Sequence, residues 1–317
     1  SSWQSGFTGK GVKVSVVDTG ISAHPDLTIA GGASFSTVTS SYADDNGHGT
    51  HVAGIIGARN NSIGTVGIAH EASIYAVKAL EANGSGSLSS IIAGIDWSIT
   101  NDMDIINLSL GTTSPSTTLQ QVVDRANNAG ILVVAAAGNN GRTDGSGDLV
   151  NYPARYSSAI AVAATDINNN RASFSATGST VEVAAPGVGI NSTLSNGGYG
   201  QMSGTSMATP YVAGNLALMK QAFPTLSSTQ LRTKLSQDSI DLGTTGRDTW
   251  FGNGLVQSPT SGGTTQPVQA LTTTVSTSKS SYYAGEVVSI SSAVRNSNGQ
   301  AVANADVRVT VTQPNGT

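Results

Sequence analysis

Four polar residues, far apart in the chain, each stand at the end of an apolar run or the mouth of a helix pattern, and their types are those that nucleophilic and acid–base chemistry could use. Asp18 closes the run at 12–17 and precedes Thr19-Gly20. A carboxylate at the carboxyl end of a buried parallel strand sits where open α/β sheets place ligands, although Asp ends many strands only to cap a turn. His48 lies between glycines in Asn46-Gly47-His48-Gly49-Thr50-His51-Val52-Ala53-Gly54, a loop feeding a helix of small residues. There a side chain can face a cleft. His51 falls nearly a turn later, inside the helix, where a structural hydrogen bond is expected. The two do not read as a metal pair, which would need i, i+4 spacing with an intervening Glu. Ser206, in Ser203-Gly204-Thr205-Ser206-Met207-Ala208-Thr209-Pro210, opens a helix, and Pro210 is tolerated only near its start. Its hydroxyl gains from the positive end of the helix dipole and its N–H is free for an anion; an isolated serine there is more often a plain N-cap. Asn139, in Ala137-Gly138-Asn139-Asn140-Gly141, follows a buried strand. Its amide could donate to an oxyanion beside the Ser206 N–H, or belong to an ordinary turn.

The elements that must position these groups follow from periodicity. Apolar runs at 12–17, 73–77, 104–108, 131–137 and 159–163 predict buried strands, and helix patterns occupy 49–58, 87–100, 117–129 and 207–222. Their alternation predicts an α/β fold, a mostly parallel sheet with helices on both faces. With 317 residues, 38% of them hydrophobic and only 11% charged, the chain can bury a large core. The 38 glycines argue for tight turns and close backbone approaches, not a helical bundle. With no cysteine, disulfides, thiolate metal sites and a cysteine nucleophile are excluded. A formal charge of −4 without a basic stripe disfavours nucleic acid, and the longest apolar run, 131–137, is too short to cross a bilayer. Lacking an initiator Met and a signal peptide, the sequence reads as a mature or trimmed product.

Composition shifts late in the chain. Residues 1–257 form the α/β unit; 258–270, SPTSGGTTQPVQA, has the make-up of a linker. From 271 to 317 the pattern turns β-rich, with alternation at 272–277, 286–294 and 306–311 and a turn at Asn296-Ser297-Asn298-Gly299. This short segment resembles the start of an immunoglobulin-like β-sandwich. Such modules need about 100 residues, so this one is expected to be cut short.

Taken together, Val17-Asp18-Thr19-Gly20, His48-Gly49-Thr50-His51-Val52-Ala53-Gly54, Ala137-Gly138-Asn139 and Gly204-Thr205-Ser206-Met207-Ala208-Thr209-Pro210 resemble the subtilisin family of serine proteases, in the family's order Asp, His, Asn, Ser and across residues 6 to about 257. That resemblance implies a secreted serine endopeptidase: Ser206 the nucleophile, His48 the general base, Asp18 its orienting partner, Asn139 an oxyanion donor. It further implies that peptides bind as an added strand between Gly84-Ser85-Gly86 and Ser109-Leu110-Gly111. The P1 pocket would be walled by Ala135, Ala136, Ala137, Gly138 and Gly111 with Asn151 near its base, uncharged and so suited to neutral side chains. Asn60-Asn61-Ser62-Ile63-Gly64 matches the family's calcium loop, which implies a structural Ca2+ held by Asp26 and Asn61 side chains with carbonyls of Arg59, Ile63 and Thr65. The family's N-terminal segment, which supplies another ligand, has no counterpart before Ser1, and Tyr211 stands where relatives often have a histidine. Tyr152-Pro153 matches a family position with a cis peptide. Protein and peptide substrates, a removed pro-segment, a monomeric state and an extracellular location, with cell-wall attachment one role open to the C-terminal module, complete the expectation. Two other readings stay open at this point: a catalytically silent binding protein on the same fold, and an esterase or amidase.

Overall fold

In the computed structural model, which describes residues 1–260, 272–279 and 287–295, a central sheet of seven parallel strands runs in the order β2-β3-β1-β4-β5-β6-β7. The strands are β1 (Lys13–Asp18), β2 (Ile29–Ser34), β3 (Ser73–Lys78), β4 (Ile105–Leu108), β5 (Leu132–Ala136), β6 (Ala159–Thr165) and β7 (Val181–Pro186). Side chains alternate across it, as a period of two requires. Val14, Val16, Ile105, Leu132, Val134, Ile160 and Val162 feed one buried core, with α1 (His48–Gly57), α4 (Thr205–Ala222) and α5 (Ser228–Asp238). Val17, Ile106, Leu108, Val133, Ala135, Ala161 and Ala163 feed the other, with α2 (Leu88–Thr100) and α3 (Thr117–Asn128). Covered on both faces, these strands are continuous apolar runs, which is why the sequence shows them so plainly.

Later strands depart from β1 to opposite sides, β3 and β2 one way and β4 to β7 the other. The crevice beyond the carboxyl ends of β1 and β4 is therefore a topological switch point. Asp18 ends β1, Ser109 follows β4, and Gly138-Asn139 follows β5. In register, Val16 lies beside Asn107, and Leu108 beside Ala135, so the three strand ends are adjacent.

A short antiparallel hairpin, β8 (Ile190–Thr193) and β9 (Tyr199–Met202), precedes α4. The expected helix bounds hold within two residues, α4 starting at Thr205 and not at 207. One compact unit spans Ser1–Gly262. Within it the first turn meets the last described segment: Ser2 Oγ donates to the Pro259 carbonyl, and Ser5 Oγ to that of Thr260. In the second unit, Gly263–Thr317, β10 (Thr272–Thr277) pairs antiparallel with β11 (Ile290–Arg295). Most of the expected linker, the turn at 296–299 and the alternation at 306–311 lie outside the described residues. Among the described residues no helix is long and apolar enough to cross a membrane.

Candidate active site

Asp18 is fully buried at the end of β1. Its Oδ1 accepts from the Thr19 N–H at 2.7 Å and from His48 Nδ1 at 2.8 Å. A carboxylate only accepts, so Nδ1 carries the proton and Nε2 is left basic. Burial opposes charging the imidazole, but the Asp18 charge and hydrogen bond, with a further contribution from Asp44, outweigh it and raise the His48 pKa above its ordinary value. His48 begins α1, entered through Gly47 at φ 106°, a left-handed conformation that favours glycine. His51 faces away, its Nε2 bonded to the carbonyls of Ile190 and Gly200 at 3.0 Å each.

Ser206 is the second residue of α4, so its N–H has no intrahelical acceptor. Its Oγ donates to the Ser109 carbonyl at 3.1 Å, and Ser109 Oγ donates back to the Ser206 carbonyl at 2.8 Å. That carbonyl is free because Pro210, four residues on, has no N–H to offer it. The hydroxyl thus points to Ser109, which lines the same cleft as His48. Asn139 Oδ1 accepts from Thr205 N–H at 2.8 Å and Thr205 Oγ at 2.9 Å. Both acceptor bonds fall on Oδ1, so Nδ2 remains as a donor; it lies beside Gly204, where an added Cβ would come within 3.3 Å of it.

A cleft of about 560 Å³ runs along this rim, and Gly84, Ser85, Gly86, Ser109, Leu110 and Gly111 all line it with His48. Leu80, Leu88, Ile91 and Leu119 give it an apolar floor. Next to it, Asn151 N–H donates to the Ala137 carbonyl at 2.8 Å. The Asn151 side chain fills the space that a Cβ on Gly138 or Gly111 would need, at 2.7 and 3.2 Å. Ala136 is buried at the end of β5. Asn151 therefore packs against both Gly111, which lines the cleft, and Gly138, which with Ala136 and Asn151 does not line it.

Beyond the C-terminus of α1, Arg59 N–H donates to the Asp26 carbonyl at 2.8 Å, and Thr65 N–H and the Tyr199 hydroxyl donate to Asp26 Oδ2, each at 3.2 Å. Asn61 Oδ1 accepts from Ile63 N–H at 3.2 Å. Asp26 is fully buried, yet its Oδ1 has no partner. Among the described residues no three His, Asp or Glu side chains converge as a metal cluster. A cation here would thus rest on one carboxylate, one amide and backbone carbonyls, a hard-oxygen set that fits Ca2+ and gives the orphaned Oδ1 an occupant.

Sequence reasoning passed over Thr19, Asp44, Lys78 and Thr205. Lys78 is wholly buried, its Nζ donating to the Thr19 and Leu80 carbonyls at 2.8 and 2.9 Å and to Asp45 at 2.6 Å. A lysine after a strand reads as solvated, and only the fold turns it inward. Thr205, next to Ser206 in the quoted motif, could have been found by asking what holds the Asn139 amide.

Comparison with known proteins gives the same region. The Subtilase family model matches residues 9–254. The minor extracellular protease Epr of Bacillus subtilis (strain 168) is 57% identical over 255 residues, which cover 80% of this chain and 39% of that protein. A thermostable alkaline protease of Halalkalibacterium halodurans is 56% identical over 251 residues, 79% of this chain and 67% of its own. Subtilisin Savinase of Lederbergia lenta is 55% identical over 251 residues, covering 90% of its length. The chain thus spans well under half of the first relative and most of the third.

Proposed function

This chain belongs to the subtilase family, and from that premise we propose that it is a serine endopeptidase working through Asp18, His48 and Ser206, with Asn139 as oxyanion donor. The observation that carries the reading is the buried Asp18 carboxylate bonded at 2.8 Å to the half-buried His48 ring, on the cleft that Ser109 joins to Ser206. The Ser206 hydroxyl turns from the Ser109 carbonyl to His48 Nε2, gives up its proton there and attacks the peptide carbonyl carbon. Negative charge then develops on the carbonyl oxygen, where the Ser206 N–H and Asn139 Nδ2 receive it. Imidazolium, stabilised by Asp18, returns the proton to the leaving amine; water repeats the sequence on the acyl-enzyme.

The cleft supports extended peptide as substrate, because Gly84 to Gly86 and Ser109 to Gly111 offer backbone along its two sides. We assign the part of the cleft at Gly111 to P1, shortened by Asn151; among the described residues no Asp, Glu, Lys or Arg lines the cleft, and neutral P1 residues are expected. Peptides differing only at P1 test this, and a strong Arg or Lys preference would contradict it. Asp26, Asn61 and the carbonyls of Arg59, Ile63 and Thr65 would hold a structural Ca2+, which supplies a positive charge for the buried carboxylate and takes no part in the chemistry. Extracellular action accords with the first relative's description, and the β10–β11 pair is read as part of an immunoglobulin-like module.

Phenylmethanesulfonyl fluoride provides the direct test. One equivalent should attach to Ser206, identified by mass, and peptide hydrolysis should stop; Ser206→Ala should neither label nor cleave. Folded protein that takes no label would instead support a silent binding module.

A further inference from the structure

Asp44, in the loop before α1, is buried, and its carboxylate accepts five hydrogen bonds. Oδ1 takes Thr19 Oγ at 2.8 Å, Asn46 N–H at 3.0 Å and Gly47 N–H at 2.8 Å; Oδ2 takes Thr50 N–H at 2.9 Å and Thr50 Oγ at 2.6 Å. Counted from His48, these partners stand two residues before, one before and two after. The remaining one, Thr19, also donates its N–H to Asp18 and accepts Gly49 N–H at 2.9 Å through the same Oγ. An N-cap needs a single acceptor for one helix amide. Here one carboxylate grips the chain on both sides of the imidazole and ties it to the strand that carries the partner carboxylate.

We propose that Asp44 is a positioning residue for the reaction, locking the His48 backbone in register with Asp18 and adding a second negative charge to the ring's surroundings. The groups facing that ring make its effect readable. Asp18 on β1 is bonded to the ring, His51 lies on the same helix, and at the end of β3 Lys78 is already matched to Asp45. Asp44 has no cationic partner of its own among the described ion pairs. Its charge is held by neutral donors, so it reaches the imidazole uncancelled, in keeping with its part in favouring the protonated ring.

The test is kcat/KM against pH for the full chain and for Asp44→Asn, on an uncharged peptide p-nitroanilide. With the charge gone the imidazolium is less favoured, so the acid limb should move to lower pH. The loosened register should cost kcat roughly tenfold or more, with KM little changed. A folded Asp44→Asn that melts earlier but keeps the limb in place would make Asp44 a helix cap only and overturn the proposal. If that variant does not fold, Thr19→Val keeps the carboxylate and cuts its link to β1; kcat should fall while the limb stays, and full kcat would overturn the proposal. The inference rests on the serine-peptidase reading. An unmodified chain that neither cleaves nor labels defeats both, whereas an active chain indifferent to Asp44 and Thr19 defeats this one alone.

Discussion

At Ser206 the side chain, carbonyl and amide each have a separate arrangement. Pro210 withholds the N–H that would have claimed the carbonyl, and Ser109 takes it, so two serines hold each other through reciprocal bonds. The amide stays free beside Asn139 Nδ2. Asn139→Ala should lower kcat roughly 10²–10³-fold with KM nearly unchanged, a magnitude borrowed from subtilisin itself. Ser109→Ala keeps its backbone carbonyl and should cost far less; steady-state kinetics of the two variants would separate donor from support. As the proposed base, His48 must be neutral to accept a proton, and its pKa, raised from the ordinary histidine value, moves the acid limb upward in pH. The His48 shift contributes stability that is fully present below the unfolded histidine pKa, where the proposed base is idle, and lost as pH rises through the folded pKa. Asp44 works in the opposite direction. Desolvation would raise its pKa, but the bonds from Gly47, Thr50 and Asn46 outweigh this and bring it below 3.8, so its contribution is present above that value and lost as pH falls through the folded one. Asp18, His48, Asn139 and Ser206 were legible as strings because each sits in a tight motif. Asp44 and Thr19 were not, because their partners come from different elements and no local pattern marks them.

Among the elements, the central strands were legible and the edges were not. β2 is Ile29-Ala30-Gly31-Gly32-Ala33-Ser34, with little β character, and it holds its edge because Gly32 has no Cβ: one would lie 2.1 Å from the Ala76 carbonyl oxygen. The β8–β9 hairpin has four-residue strands, too short to show a period, yet its carbonyls anchor His51 and its Thr193 Oγ donates to the Thr50 carbonyl at 2.8 Å. α5 did carry a signal that went unread, the capping box Ser227-Ser228-Thr229-Gln230, formed here through Ser227 Oγ and Gln230 Oε1. Ser227→Ala should destabilise the unit by about 1 kcal/mol in urea unfolding and leave kcat unchanged, since α5 packs against the core and contributes no residue to the cleft.

For the molecule as a whole, the carboxyl end of the sheet would organise the proposed chemistry, and the switch beside β1 explains how residues so distant in sequence come to one rim. The Asp26 loop answers a separate need. A buried carboxylate oxygen without a partner is costly, and a bound cation would remove that cost. Thermal unfolding with excess calcium should therefore have a higher midpoint than with chelator, by an amount set by ligand concentration over Kd; equal midpoints would speak against a structural ion. Asp26→Asn should abolish the difference.

The seam between Ser2 and Pro259, and between Ser5 and Thr260, bears on topology in a different way. Because the two ends of the peptidase unit already touch, a gene could splice them with a few residues and open instead at the exposed turn 167–170 between β6 and β7. Every strand would keep its neighbours, and the rewired chain would begin at what is now a surface loop.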